Sequence, residues 1–306
     1  MSTLVERLQY ERERVRVWQA SLFEFWLRFR PNHAALFGLV VLVIIALVAL
    51  FAPVLAPFPP QRVSYDTFEP PNAKHWLGTD DLGRDTFSGI VMSTRTSLLV
   101  GIVASLTSLS IGIVIGSIAG FLGGRVDDWL MRFTEFVLIT PPFFLILVAV
   151  AIVGPSLLNI ILVIGFFSWP RIARVVRALF LSLKEEDYVL AARATGVRDA
   201  RIISSHILPN SLPSVIVLGS LLVGQAILNE AGLSFLGLGD PVLFSWGKML
   251  NNAQRFLGRS LWMAFFPGIA IFFAVLSVNL VGDGINDALN PRLRHRNSSP
   301  KEKPKQ

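Results

Sequence analysis

The sequence predicts an all-α polytopic membrane protein of six transmembrane helices with both termini cytoplasmic. Three observations carry that prediction. Of 306 residues, 53% are hydrophobic and only 16% are charged, against roughly a quarter charged in ordinary soluble domains. The apolar residues gather into long stretches without Asp, Glu, Lys or Arg; a hydrocarbon core takes about 20 such residues per helix, because only a helix or a closed barrel satisfies its own backbone there. The Lys and Arg residues fall mostly on one side of these stretches, as cytoplasmic loops require.

More than thirty mixed and charged residues precede the first apolar run, so a cleaved signal peptide is a poor reading and the first span is a retained helix. In this lead-in Val15, Trp18, Leu22, Phe25 and Phe29 recur at three- and four-residue spacing between arginines. An amphipathic helix in the inner interface and a plain lead-in to the first span fit that pattern equally. The first apolar stretch starts at Pro31 and is broken at Arg62, and the second runs from Thr96 to Gly124. The second carries Ala104, Ser108, Gly112, Gly116, Gly120 and Gly124, a small residue at every fourth position, which lets another helix approach closely.

Phe136 to Pro170 is 35 residues long, too much for one span at ordinary tilt, and Gly154-Pro155-Ser156 in its middle is a turn signal. It reads as a hairpin of two spans, the second running from about Leu157 into Arg171, Arg174 and Arg177, whose side chains snorkel to the interface. Ile202 to Asn229 and Ser260 to Gly282 supply the last two spans. With six spans and the N-terminus inside, 21 of the 28 Lys and Arg residues lie inside. Treating the long stretch as one span would leave only 11 of the 28 inside, so the charge rule selects six. The partition is then a cytoplasmic segment 1–33, a six-helix domain 34–290 with an outer loop 57–95 and a cytoplasmic loop 180–210, and a basic cytoplasmic tail 291–306. Pro141, Pro142, Pro170 and Pro267 fall within spans, where each removes a backbone donor and tends to kink the helix.

Several functions are excluded or disfavoured. With no cysteine, disulfides, thiolate catalysis and iron–sulfur clusters are ruled out. The net charge of +7 is met by a membrane surface, not by nucleic acid. His33, His75, His206 and His295 are scattered, and no metal site is expected. The acids of the 61–94 loop do not have the spacing of a calcium loop. Gly247-Lys248 has Val242 where a phosphate-binding loop needs Gly, and Met249 follows where it needs Ser or Thr. No nucleophile elbow or zinc-protease helix is present, so the chain is not expected to be an enzyme or to bind a cofactor. Glu135, Glu230 and Asp283 sit at the ends of apolar stretches and not at mid-span, which argues against an ion-gradient-driven transporter, the main alternative.

The cytoplasmic loop between the fourth and fifth spans is the most regular polar segment. Ser182 and Glu185 have capping-box spacing, and Gly196 suits a left-handed stop, which predicts a short capped helix. A second helix over about Asp199 to Ile207 should end before Pro209. Ala191 and Ala192 would let the first helix press close to a partner surface, with Tyr188 and Leu190 as anchors; an ordinary solvated loop is the even alternative.

This loop resembles the Glu-Ala-Ala loop of ABC importer permeases. Ala191, Ala192 and Gly196 match, nine residues intervene, and Leu208-Pro209 closes the motif; Leu190 stands for the usual Glu and His206 for the usual Ile. The ending His206-Ile207-Leu208-Pro209-Asn210 is similar to the dipeptide, oligopeptide and nickel branch. So are Leu77 to Asp85, Ser168-Trp169-Pro170, Gly282-Asp283-Gly284 and Asp287 to Pro291, although that last motif more often has Asp at Asn290. The resemblance implies an ABC type I importer permease fold in the bacterial-type inner membrane. It implies pairing with a homologous partner permease, two cytoplasmic ABC ATPase subunits that hold ATP and Mg, and an extracytoplasmic substrate-binding protein. It places Glu186, Asp187, Tyr188, Ala191, Ala192, Thr195, Gly196, His206, Leu208 and Pro209 at the ATPase contact. Gln225, Asn229, Glu230 and Asn279 are the polar candidates for the path of a peptide-type solute. The outer segment Gly232 to Arg259, with Gly237, Asp240 and Trp246, is expected to hold a short re-entrant or interfacial piece.

Overall fold

A computed structural model describes residues 23–289. Among these the fold is all-helical, in the order α1 (His33–Leu55), α2 (Thr86–Leu122), α3 (Gly124–Ile139), α4 (Pro142–Val153), α5 (Leu157–Leu183), α6 (Asp187–Ala194), α7 (Asp199–Ile202), α8 (Leu208–Leu233), α9 (Trp246–Ala253) and α10 (Trp262–Leu289). A π-turn, Ile203–Ile207, joins α7 to α8, and another, Ser234–Leu238, follows α8. Five helical runs are long and apolar enough to cross a membrane: α1, α2, α5, Asp199–Leu238 and α10. The helices α3 and α4 meet that test only as a pair, bent by 82°. The bend falls at Thr140 and Pro141, where the missing proline donor ends one helix and Pro142 opens the next. The break at 154–156 lies where the sequence placed it, with Ser156 accepting from the Asn159 N–H to cap α5.

The α2–α5 pair is the most extensive helix contact. Its cause is the small-residue stripe. A Cβ added at Gly112 would lie 2.6 Å from Ile172 Cβ, at Gly116 2.5 Å from the Ala173 oxygen, and at Gly120 2.7 Å from the Arg177 oxygen. In return Gly165 of α5 admits Thr107. Gly124 departs from the expected stripe, since it opens α3 and nothing lies near its missing Cβ. At 1.5 Å per residue the 37-residue α2 is roughly 55 Å long, so it projects beyond a 30 Å core and scaffolds the loops at its ends. Outward-facing Val40, Ile44, Phe51, Leu106, Phe136 and Ile152 are each more than half exposed, the surface that lipid would cover.

The segment between α1 and α2 is shorter than the predicted 57–95. Helix α2 already begins at Thr86, because Asp85 caps it through the Ser88 N–H at 2.8 Å; Ser93, Thr94 and Ser97 are buried helix residues. Reading charge-free stretches stopped at Arg95 and so lost the first turns. The segment after α8 holds a short helix, α9, with Trp246 buried and donating from Nε1 to the Ile90 oxygen. Asp240 fastens that segment to α5 by accepting from the Leu157 N–H at 2.9 Å, and it also accepts from Val242 and Leu243. Burial by itself would raise the Asp240 carboxyl, but these backbone donors and Lys248 hold it below the ordinary carboxylate range.

Arg177 is paired within the chain. Its guanidinium grips Asp127 of α3 with two bonds of 2.5 Å. Of the N-terminal apolar pattern, Val15, Trp18 and Leu22 lie outside the described residues, as do the tail 291–306 and the Asn290-Pro291 end of the last motif. Phe29 is buried against Ala35 and Ala288, with Phe25 beside it, so this part packs on the feet of α1 and α10.

Replacing Gly116 by Ala should destabilise the isolated chain in detergent by about 1–3 kcal/mol through overpacking. Gly268→Ala, with open space at its Cβ, should leave thermal unfolding unchanged or higher. Asp240→Ala should cost about 1–3 kcal/mol of local opening energy, read as faster hydrogen exchange at Leu157, Val242 and Leu243. Because the Asp240 carboxyl is depressed, the same loosening should appear in the native chain as pH falls through its folded value, and be absent above the ordinary Asp range.

Candidate functional site

The elbow that carries the motif is built between two long rods, α5 and the continuous run Asp199–Leu238. Its start differs from the capping-box expectation. Ser182 belongs to the last turn of α5, Glu185 to the connecting turn, and α6 begins at Asp187 with no side-chain cap from Glu186. The reason is packing: buried Phe180 and half-buried Leu183 hold α5 helical up to the turn. The second helix also differs. It does not stop before Pro209 but passes through the π-turn, where the Leu208 N–H reaches back to the Ile203 oxygen. Pro209 then sits in the first turn of α8, and a wider turn accommodates the ring that an α-turn would push against a carbonyl.

The end of α6 is a Schellman motif. The Val197 N–H bonds the Ala192 oxygen at 3.1 Å and the Gly196 N–H bonds the Arg193 oxygen at 2.9 Å, with Gly196 at φ +77°. Thr195 Oγ1 adds bonds to the Ala192 and Ala191 oxygens. Val189, Ile202 and Ile207 are fully buried, and with Ala192 and Val197 they clamp the elbow onto Phe121 and Phe180. The Arg193 guanidinium lies 5.0 Å from the Phe121 ring centre. Asn210 of α8 donates to the Tyr188 hydroxyl at 3.3 Å and to the His206 oxygen at 2.6 Å.

These contacts divide the motif residues into two faces. Ala192, His206 and Leu208 are partly buried, and Ala192 and Leu208 pack on the chain's own core. Glu186, Asp187, Ala191, Thr195, Gly196 and Pro209 are exposed, with Tyr188 at 40% and Leu190 at 44%. The exposed face thus presents two large apolar groups beside a bare alanine, and two acids at the helix start, where its dipole favours them.

The four polar path candidates are not gathered in one place. Gln225 and Asn229, one turn apart and 3.4 Å from each other, line a cleft of ≈ 650 Å³ with Pro141, Pro142, Phe167 and Arg171. Glu230 faces the other way. It is 2% exposed and accepts from Ser234 at 2.6 Å and Ser97 at 3.5 Å. Asn279 lies in the α8–α10 seam against Gly224. Sequence reasoning missed the Asp127–Arg177 clamp and the Asn210–Tyr188 tie, whose partners lie 50 and 22 residues apart; no local pattern marks such pairs.

Residues 112–295 match the family described as the binding-protein-dependent transport system inner membrane component. Residues 21–71 match the N-terminal transmembrane domain of oligopeptide transport permease C. The chain is 40% identical to a dipeptide transport system permease protein of Alkalihalophilus pseudofirmus, over 89% of this chain and 90% of that one. It is 39% identical to an oligopeptide transport system permease protein of Bacillus subtilis, over 88% of each. It is 42% identical to a glutathione transport system permease protein of Pectobacterium atrosepticum, over 89% and 91%. Apolar helices in number, the elbow motif and these matches agree: the chain belongs to the family of multi-pass inner-membrane components of binding-protein-dependent transport systems, and is the permease subunit of an ABC importer.

Proposed function

We propose that this permease carries a peptide-type solute and is driven through its inner elbow by ATPase subunits that are separate chains. In this reading the bent α3–α4 pair counts as one span, which makes six, with both termini cytoplasmic. A homologous permease completes the path, two ATPases hold ATP and Mg, and an extracytoplasmic binding protein delivers the solute. This chain binds no cofactor. The peptide class is supported by the names of its relatives, which specify dipeptide, oligopeptide and glutathione transport.

The observation that carries the reading is the two-sided elbow. A lever must be stiff toward its own protein and open toward its driver, and α6 is capped, clamped by Val189 and Ala192, and exposed at Tyr188, Leu190 and Ala191. Motion imposed on that face passes into α5 and α8, because a three-residue link on one side, and a four-residue link, α7 and a π-turn on the other, leave little slack. The bend at Pro141 and the cleft with Gln225 and Asn229 lie where such motion would open or close a polar route between helices.

In reconstituted complex, Ala191→Glu should abolish most substrate-stimulated ATP hydrolysis while the permease pair still assembles, since the substitution touches only the exposed face. Gly196→Val should do the same by straining a left-handed position. Ala192→Glu should in addition lower stability, because Ala192 packs inward. Unchanged coupling in Ala191→Glu, or free labelling of a cysteine at Tyr188 in the assembled complex, would count decisively against the lever. Transport driven by an ion gradient alone would favour a secondary transporter instead.

A further inference from the structure

The outer loop between α1 and α2 holds a buried histidine with an idle nitrogen. His75 is 4% exposed. Its Nδ1 lies 2.9 Å from Asp85 Oδ1, and Asp85 accepts through Oδ2 from the Ser88 N–H at 2.8 Å and the Ser88 hydroxyl at 2.7 Å. A carboxylate that only accepts must receive the Nδ1 proton, so in the neutral imidazole Nε2 is the lone-pair nitrogen, available to a ligand. That Nε2 is buried and has no hydrogen-bond partner. It faces Asp66 Oδ2 at 3.7 Å, a gap too wide for a hydrogen bond. Glu69 offers a third donor, and one ligand atom from each of Asp66, Glu69 and His75 lies within 4.8 Å of the others.

We propose that Asp66, Glu69 and His75 bind a divalent transition-metal ion of the zinc type at the outer face of this permease. The donor set is one imidazole and two carboxylates, which suits zinc and not calcium, a cation that takes oxygen ligands. The Asp85–His75 bond supplies the outer-shell carboxylate that fixes the tautomer of a metal-binding histidine. Around a metal at about 2 Å the donors sit roughly 3.3 Å apart and must draw together by up to about 1.5 Å from their present spacing; the partly exposed Asp66 would exchange Lys74 for the metal, and Glu69, which accepts from Asn72 at 2.9 Å, would turn toward it. Lys74 now pairs with Asp66; it is 62% exposed and swings into solvent when a metal takes its place. The site rests on the loop alone and stands or falls apart from the lever.

The test is a competition titration of zinc against a fluorescent chelator, using the full chain in detergent, stripped with EDTA and carrying a tag without histidine. Native protein should bind one zinc that Asp66→Asn with Glu69→Gln releases. His75→Gln should weaken it by at least the roughly 10–100-fold that outer-shell changes cost elsewhere. Lys74→Gln should tighten binding by removing the competing cation. Thermal unfolding of the metal-free carboxamide variant should match the native chain, which separates lost ligation from lost folding. Equal zinc binding by native and variant chains, no saturable binding, or displacement of zinc by equimolar calcium would overturn the site.

Discussion

Backbone contact between α2 and α5 is the constraint on which the remaining architecture depends. Side chains at Gly112, Gly116 and Gly120 would occupy space that Ile172, Ala173 and Arg177 already fill. In lipid, where burying apolar surface gains little because the solvent is itself apolar, close packing of this kind is a main source of association between helices. The seam fixes the height of α5 against α2. That height places Arg177 opposite Asp127 and Phe180 beside Phe121, and the two phenylalanines are the floor on which the elbow packs.

The elbow inherits its rigidity from that seam. Its inner residues gain nothing from the short helix itself, since eight residues are too few to be stable alone. They gain it from Phe121 of α2 and from Phe180 and Ile207, which belong to the rods on either side. A small helix held this way can be exposed on its other face without fraying, and the ties from Asn210 to Tyr188 and from Arg193 to Phe121 brace its two ends.

The outer layer is organised differently, by polar groups and not by close apolar packing. Asp85 starts α2 and orients His75, Asp240 starts α5 and anchors the segment before α9, and Trp246 fills the space between. Capping carboxylates are suited to this task because each helix start offers several unsatisfied N–H groups at one place. Glu230 with Ser97 and Ser234 continues that polar layer inward, away from the cleft at Gln225.

The sequence by itself determined the helical class, the break at Gly154-Pro155-Ser156, the close-contact stripe on α2 and the left-handed stop at Gly196, because each rests on composition or on residues within one or two turns of each other. It also carried the family, through spaced motifs around the elbow. Tertiary structure alone decided that α5 runs to Leu183, that Pro209 is passed and not a stop, and that Ala192 turns inward while Ala191 turns out. It also parted Glu230 from Gln225 and Asn229, and brought His75 to Asp85 and Asp66. These outcomes depend on which neighbour supplies packing or a hydrogen bond across tens of residues, and a helix accepts either face inward until another helix chooses for it.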